Sequence, residues 1–288
     1  MTRNGYAMIG IDLDGTLLST NGRVTPRTRG AIHNAVAAGM VVCFATGRSW
    51  RESCLILDES GHFADAVFVT GAIVADTRGG RTLRRRLMGP ELARQVSAFF
   101  EKRRQTVLAL QDSPQPDVDY LVTEAAELNV ATQLWIKMTR TGIRRHGGLA
   151  LAPELGKPHT HENTVRISIV ADAGDVDMCM TGLAEEFGPK VACHCLVVPS
   201  SGLRVLEVFE PAVNKWDGLM HVADANGITA ERIIAVGDDV NDLPMIRNAG
   251  LGIAMANAPA EVRAAADRVI GPNGEDGLAV FLEELLAG

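Results

Sequence analysis

The sequence predicts an α/β fold in which helices cover both faces of a parallel sheet, with a second, α+β domain inserted into it. Continuous apolar runs at residues 7–11, 40–45 and 232–236 have the length and the Val/Ile content of buried strands, and helical patterns separate them. Polar residues follow each run directly, as expected where the carboxyl ends of parallel strands form a ligand-binding crevice. From about residue 84 to 209 the apolar positions alternate instead, which indicates a half-exposed sheet.

The remaining elements of the first domain follow from local signals. Thr25 and Pro26 are typical of a helix start, with a hydroxyl cap followed by a proline at the first helical position, and Gly39 is typical of its end. Further apolar runs at residues 66–69 and 251–255 are predicted strands. Each ends at a small or polar residue, as the other strands do.

The inserted region is predicted to alternate short strands with amphipathic helices. The strands are expected at residues 165–170 and 204–209, and the helices at residues 91–104, 127–138 and 175–187. Loops are expected at residues 140–148 and 156–163, and the second of them carries His159 and His161.

Composition and charge exclude several classes of function. The 288-residue chain has a net charge of −7 and no long basic block, which argues against nucleic acid as a partner. Its uncharged runs are shorter than a membrane span, and Asp12 interrupts the one early apolar run, so neither a membrane segment nor a signal peptide is expected. Five scattered cysteines indicate reduced thiols. We therefore expect a cytoplasmic protein with a small-molecule ligand.

Two carboxylates at the end of one buried strand require a positive partner, because burying like charges together is unfavourable. Asp12 and Asp14 stand at such an end, and Lys215 and the acidic cluster at residues 238–242 are expected at the same crevice. Mg²⁺ prefers carboxylate oxygens together with phosphate and water. An aspartate left free to attack phosphorus forms an aspartyl-phosphate, while a lysine and a hydroxyl hold the phosphoryl oxygens. The pattern therefore favours phosphoryl-transfer chemistry.

Four short motifs in order resemble those of the haloacid dehalogenase superfamily, and within it the Cof-like phosphatases with a type IIB cap. They are DLDGT at residues 12–16, TGR at 46–48, NK at 214–215 and GDDVNDLPMI at 237–246. The resemblance implies a doubly wound, Rossmann-like catalytic core at residues 1–85 and 210–288. It also implies a mobile cap at residues 86–209 that sets substrate specificity.

The resemblance also implies a role for each matching residue. Asp12 would be the nucleophile, and Asp14 would protonate the leaving oxygen and then activate the hydrolytic water. The residues implied to bind the phosphate are Thr46, Gly47, Lys215 and Asn241. The implied Mg²⁺ ligands are Asp12, Asp14 through its backbone carbonyl, Asp238 and Asp242, the last directly or through water.

Three positions have no assigned role. Relatives often carry Asn-Gly-Ala after the third strand, where this chain has Thr70, and a glycine after the motif lysine, where it has Trp216. Trp216 is either a packing residue or a specificity residue. Arg48 is either the partner of an ion pair or a substrate ligand.

The sequence is thus interpreted as a Mg²⁺-dependent phosphatase of small phosphorylated metabolites, such as a sugar phosphate or a cofactor phosphate. One alternative is a phosphotransferase or mutase of the same superfamily. Another is a non-enzymatic aspartyl-phosphate switch. Asp14 favours an enzyme over a switch, because a general acid–base beside the nucleophile promotes turnover.

Overall fold

The computed structural model describes residues 5–112, 119–123, 128–139, 142–151, 160–197 and 202–287. The chain divides into two compact units: the first comprises Met1–Arg84 and Asn214–Gly288, and the second comprises Arg85–Val213. None of the helices in the described ranges has the length and apolarity needed to cross a membrane.

Both units contain strands and helices. The strands are β1 (Met8–Ile11), β2 (Val41–Phe44), β3 (Asp65–Phe68), β4 (Ile73–Asp76), β5 (Thr82–Arg85), β6 (Leu108–Gln111), β7 (Tyr120–Thr123), β8 (Ile143–His146), β9 (Thr164–Ala171), β10 (Ala192–Val197), β11 (Arg204–Phe209), β12 (Ile233–Gly237), β13 (Leu251–Met255) and β14 (Arg268–Ile270). The helices are α1 (Pro26–Ala37), α2 (Trp50–Ser60), α3 (Pro90–Lys102), α4 (Val130–Thr139), α5 (Ala173–Glu186), α6 (Lys215–Ala225), α7 (Leu243–Asn248), α8 (Ala260–Ala265) and α9 (Gly277–Ala287).

The first unit is built on a five-stranded parallel sheet in the order β14-β13-β12-β1-β2. Strand β1 is buried throughout and pairs with a neighbour on each side, so that Ile11 faces both Val236 and Phe44. A parallel bridge from Ala45 to Val67 brings β3 to the outer edge of β2, and β3 pairs antiparallel with β4. The predicted α/β fold with a parallel sheet is confirmed.

The predicted signals at the start of the first helix have the expected structure. Thr25 precedes α1 in an extended conformation and its side chain accepts a hydrogen bond from the backbone N–H of Thr28. Such a cap satisfies one of the N–H groups that have no partner within the helix. Pro26 is the first helical residue, where its missing N–H costs nothing. The helix packs against α9, which covers that side of the sheet.

The second unit is a six-stranded sheet in the order β10-β11-β9-β6-β7-β8. Neighbouring strands run antiparallel with the exception of the pair β7 and β8. One face of the sheet and the helices α3 and α5 form an apolar core that includes Phe99, Phe100, Ile167, Ile169 and Leu183. Alternation along β9 places Arg166 and Ser168 on the opposite face.

The structure corrects two expectations for this unit. The half-exposed sheet is wrong for β9, which is buried at every position, and for β11, which is buried at every position except Arg204. The polar side chains are buried because Arg166 forms an ion pair with Glu207 and donates to the hydroxyl of Tyr120, both at 2.5 Å. The loop expected at residues 140–148 contains β8, an edge strand whose two arginines are exposed and give it no apolar period. His161 lies in a turn as expected, and His159 lies outside the described residues.

An ion pair lies at the point where the chain passes between the two units. Arg84, the last residue of the first unit before the second begins, donates to the carboxylate of Asp217 at 2.6 Å and to its carbonyl at 3.1 Å. Asp217 belongs to the first turn of α6, which starts just after the chain returns to the first unit. The outgoing and returning segments are therefore held side by side.

The buried ion pair makes Glu207→Gln strongly destabilising. The side chains of Arg166 and Glu207 are 2% and 4% exposed, so the substitution leaves a buried guanidinium without its counter-charge. We expect a loss of about 3 kcal/mol or more in the free energy of unfolding of the second unit. Denaturant titration followed by circular dichroism measures the change. The control is Glu283→Gln, which breaks the exposed Arg27 pair and is expected to leave the transition where it is; equal transitions for both variants would contradict the prediction.

Candidate active site

Polar side chains of the first unit meet at the carboxyl edge of its parallel sheet. Asp12 follows β1, Thr46 follows β2 by two residues, and Asp238 follows β12. The backbone continues the sheet at this edge, since the N–H of Asp12 donates to the carbonyl of Val236 at 3.0 Å. The strand ends therefore fix these side chains relative to one another.

Lys215 lies between two buried carboxylates. Its Nζ donates to Asp12 Oδ1 at 2.6 Å and to Asp242 Oδ1 at 2.5 Å, and all three side chains are almost fully buried. Lys215 is the first residue of α6, and the side chain of Asn214 caps this helix by accepting from the N–H of Asp217. The helix start thus delivers the ammonium group to the strand ends.

The charges of this cluster shift the pKa values of its members. Burial raises the pKa of Asp12 well above its usual range, and the Lys215 ammonium opposes this only in part. For Lys215, burial alone would lower the pKa, but Asp12 and Asp242 outweigh it and raise the pKa above its ordinary value. Burial, followed by the charge of Asp242, raises the pKa of Asp238 to about 7. One ammonium group compensates only part of the charge of the three carboxylates, so the cluster attracts further positive charge.

Asp242 has hydrogen bonds on both of its carboxylate oxygens. Lys215 takes Oδ1, and Oδ2 accepts from the backbone N–H groups of Asp238 and Asp239 at 2.9 and 3.0 Å. The Asp242 side chain passes close over Gly237, where a Cβ would lie 2.4 Å from its carboxyl carbon. Asp242 therefore holds Lys215 and the turn after β12 in place.

Asp238 is held against the turn that follows Asp12. The Thr16 hydroxyl donates to its Oδ1 at 3.0 Å, and the Asn257 amide lies 3.4 Å from Oδ2. A Cβ on Gly15 would lie 2.1 Å from the same carboxylate, and Gly15 has a φ of +79°. Glycine is thus required here both for the backbone conformation and for the close approach of Asp238.

The donor set fits a divalent metal ion. Oxygens of Asp12, Asp238 and Asp242 all lie within 4.8 Å of one another, and oxygen donors of this charge suit Mg²⁺. Asp242 has the least room for a metal ion, because its oxygens accept three hydrogen bonds, two of them from backbone N–H groups. Burial and the charge of Asp242 raise the pKa of Asp238, and a bound cation would oppose that rise.

Asp14 lies apart from this carboxylate cluster. Its carboxylate forms a two-point ion pair with Arg48, at 2.7 Å to Nε and 2.6 Å to Nη2, and its side chain is 54% exposed. Of the two roles open for Arg48, the structure shows the ion pair. Trp216 packs against the apolar core of the first unit, which agrees with the first of its two possible roles, a packing residue.

The residues implied to bind phosphate lie around the loop after β2. The Thr46 hydroxyl accepts from the N–H of Arg48 at 3.1 Å, which leaves its proton available to a ligand. A Cβ on Gly47 would lie 3.5 Å from Thr70 Oγ1 and 4.0 Å from Asn241 Nδ2. Thr46, Gly47 and Asn241 therefore belong to one neighbourhood, together with Thr70, which has no assigned role.

Thr70 lies in a strained turn. Val69, Thr70 and Gly71 have φ values of +52°, +57° and +106°. A β-branched residue in this region costs about 1–3 kcal/mol, so two in succession require support from the surrounding structure. That support includes backbone hydrogen bonds of 2.9 Å from Val69 N–H to the Arg48 carbonyl and from Thr70 N–H to the Thr46 carbonyl.

Sequence reasoning missed Thr16 and Asn257 as partners of Asp238. Thr16 is the last residue of the DLDGT motif, but no role was assigned to its hydroxyl from the sequence. Asn257 follows β13 by two residues and donates to the Gly15 carbonyl at 2.9 Å. The strand-end rule places Asn257 at the crevice, but it does not identify Asp238 as the residue that Asn257 contacts.

Fold and site together define a hydrolase with an α/β core and a carboxylate-rich centre. The family model of haloacid dehalogenase-like hydrolases matches residues 9–282, and the chain belongs to that family. The 5-amino-6-(5-phospho-D-ribitylamino)uracil phosphatase YwtE of Bacillus subtilis is 30% identical, over 97% of this chain and 98% of the relative. YitU of the same organism bears the same enzyme name and is 28% identical, over 96% of each protein. The resemblance found in the motifs is confirmed, and the chain is a phosphoric monoester hydrolase.

Solved structures share the fold over nearly the whole chain. A haloacid dehalogenase-like hydrolase from Bacteroides thetaiotaomicron superposes with a TM-score of 0.76, covering 97% of this chain and 99% of that one at 24% identity. A Bacillus subtilis haloacid dehalogenase-like hydrolase gives 0.77 at 21% identity, with 97% and 99% covered. At these identities the likeness establishes the fold alone.

Asp238→Asn is expected to stabilise the metal-free protein at high pH. The Asp238 pKa is about 7 in the folded protein and near 3.8 without its surroundings, so the wild type loses stability as pH rises from about 4 to 7. The asparagine removes this loss while still accepting from Thr16. With EDTA at pH 8, we expect its melting temperature to exceed that of the wild type by about 2 °C or more, and the gain to vanish near pH 4.

The control for this experiment is Asp224→Asn, which removes one exposed carboxylate of α6. It should not reproduce the gain. Added Mg²⁺ should raise the melting temperature of the wild type more than that of Asp238→Asn, because binding to the folded state stabilises it. A melting temperature of Asp238→Asn at or below the wild-type value at pH 8 would contradict the assignment.

Proposed function

We propose that the protein is a Mg²⁺-dependent phosphatase of small phosphorylated metabolites that works through an aspartyl-phosphate on Asp12. The observation that carries the proposal is the position of Asp12, buried at the end of β1, bonded to Lys215 and close to Asp238. A carboxylate so placed has a cation to orient it and a second carboxylate with which to share a metal ion.

Mg²⁺, when bound by Asp12 and Asp238, would neutralise charge on the phosphoryl group and align it for in-line attack. The chain's own residues supply the rest. An oxygen of Asp12 attacks phosphorus as the bond from phosphorus to the leaving oxygen breaks. Lys215 and the Thr46 hydroxyl hold the phosphoryl oxygens, which carry the developing charge. Asp242 keeps Lys215 in place through the contact of 2.5 Å.

Asp14 is the proposed general acid and then the general base. It gives its proton to the leaving oxygen, and the resulting carboxylate takes a proton from a water molecule that attacks phosphorus. The bond between phosphorus and Asp12 breaks in that step, which releases inorganic phosphate and restores the Asp12 carboxylate. In the structure the Asp14 carboxylate is ion-paired with Arg48. The proton transfers therefore require Asp14 to turn from Arg48 toward the substrate.

The substrate is proposed to be a phosphomonoester of a sugar or of a cofactor precursor. Support comes from the two Bacillus subtilis relatives, both named as phosphatases of 5-amino-6-(5-phospho-D-ribitylamino)uracil. The second unit is the proposed cap domain that selects the substrate. A panel that includes this compound and common sugar phosphates, scored by phosphate release, tests the substrate class; product analysis separates hydrolysis from transfer to a sugar hydroxyl.

Removal of the metal is expected to abolish activity. Phosphate release from p-nitrophenyl phosphate should stop in EDTA, return with excess Mg²⁺ and return poorly with Ca²⁺. Calcium takes more ligands at longer distances, which disturbs in-line attack. Full activity after exhaustive chelation would rule out the metal-dependent mechanism.

Asp12→Asn and Asp14→Asn are expected to fail at different steps. Without Asp12 no phosphoenzyme forms with any substrate. Asp14→Asn should lose about 10² to 10⁴ in rate with alkyl phosphates, whose alcohols leave poorly without a proton. With p-nitrophenyl phosphate its first step should survive and its second should stall. Acid-quenched mass spectrometry should then find one phosphoryl group on the peptide that contains Asp12.

The wild type quenched in the same way is the control for this experiment, because its intact second step should keep the phosphoenzyme from accumulating. Equal losses of Asp14→Asn with both leaving groups, and no trapped phosphoenzyme, would contradict the assigned roles.

A further inference from the structure

The hydroxyl of Thr70 is a buried polar group that has no hydrogen-bond partner among the described residues. The side chain has no exposed surface. A buried hydroxyl without a partner is unfavourable, because it has lost its bonds to water. The same residue has the left-handed backbone conformation that β-branched side chains disfavour. Two features of Thr70 are therefore unfavourable for stability: the buried hydroxyl and the left-handed backbone conformation.

The turn that holds Thr70 is fixed to the active site on two sides. Thr70 N–H donates to the Thr46 carbonyl at 2.9 Å, which ties the turn to the loop after β2. On the other side, a Cβ on Gly71 would lie 2.0 Å from the carbonyl oxygen of Asn214, the residue before Lys215. The position of Thr70 is therefore set by the segments that carry Thr46 and Lys215.

A second donor lies in the same neighbourhood. The amide nitrogen Nδ2 of Asn241 lies 4.0 Å from the Cβ position of Gly47. Thr70 Oγ1 lies 3.5 Å from that position. Gly47 itself is half-buried. A hydroxyl and an amide from two different elements thus flank one glycine.

We propose that Thr70 binds the phosphoryl group of the substrate, with its hydroxyl donating to a non-bridging oxygen beside Gly47 and the Asn241 amide donating to the same group. A phosphoryl group offers only acceptors, and both side chains have a donor to give. Donation to a charged oxygen is also among the stronger hydrogen bonds in proteins. The proposal rests on the proposed phosphatase function and adds to it a residue outside the four motifs.

The test compares Thr70→Val with Thr70→Ser. Valine keeps the β-branched shape and removes the hydroxyl, whereas serine keeps the hydroxyl and removes the methyl group. The dissociation constant of inorganic phosphate, measured calorimetrically in Mg²⁺, should rise about tenfold to a hundredfold in Thr70→Val. It should stay near the wild-type value in Thr70→Ser. The melting temperature of Thr70→Val should not fall, since the hydroxyl has no partner to lose.

Thr77→Val is the matched control. Thr77 also has a buried hydroxyl without a partner among the described residues, but it follows the far end of β4. Loss of the Thr77 hydroxyl should leave the dissociation constant of phosphate unchanged. Wild-type affinity in Thr70→Val would overturn the proposal. Equal weakening in Thr70→Val and Thr70→Ser would also overturn it, because serine keeps the hydroxyl. Phosphate binding needs no turnover, so failure of this proposal is distinguishable from absence of phosphatase activity in the wild type.

Discussion

The contact of Lys215 with Asp12 and Asp242 is the interaction on which the active-site edge depends. Without a cation between them, two carboxylates could not both be charged at this depth in the protein. The lysine reaches them because α6 begins at that residue, and α6 begins there because Asn214 caps it. The charge balance of the site is thus a consequence of where one helix starts.

The same balance explains why the site is suited to phosphoryl transfer. Lys215 compensates part of the negative charge of the carboxylates, and the remaining charge can be compensated by a divalent ion. Both oxygens of Asp242 accept hydrogen bonds, which hold the lysine and the turn after β12 in place. Asp12 then has an oxygen directed by the ammonium. Groups fixed in advance by the fold need little rearrangement when charge develops on a substrate.

The sequence predicted what is local and what depends on strand ends. Buried strands were recognised from continuous apolar runs, and α1 from Thr25 and Pro26, because each signal lies within one element. Pairings between distant residues were not visible. Arg166 in β9 was predicted to be exposed because its counter-charge, Glu207, lies on another strand. Strand β8 was not predicted because its two arginines interrupt the alternation of apolar residues that identifies a strand. The contact between Asp14 and Arg48 was left open for the same reason.

The ion pair between Arg84 and Asp217 has a consequence for how the chain is organised as modules. It keeps the exit and the return of the first unit within the reach of one arginine side chain. A linker of a few residues is enough to span that gap. The second unit is therefore an insert with adjacent ends, the geometry in which a whole domain is exchanged, shortened or removed with little disturbance to the host. The first unit can therefore carry a different insert at the same place while the charge balance around Lys215 stays intact.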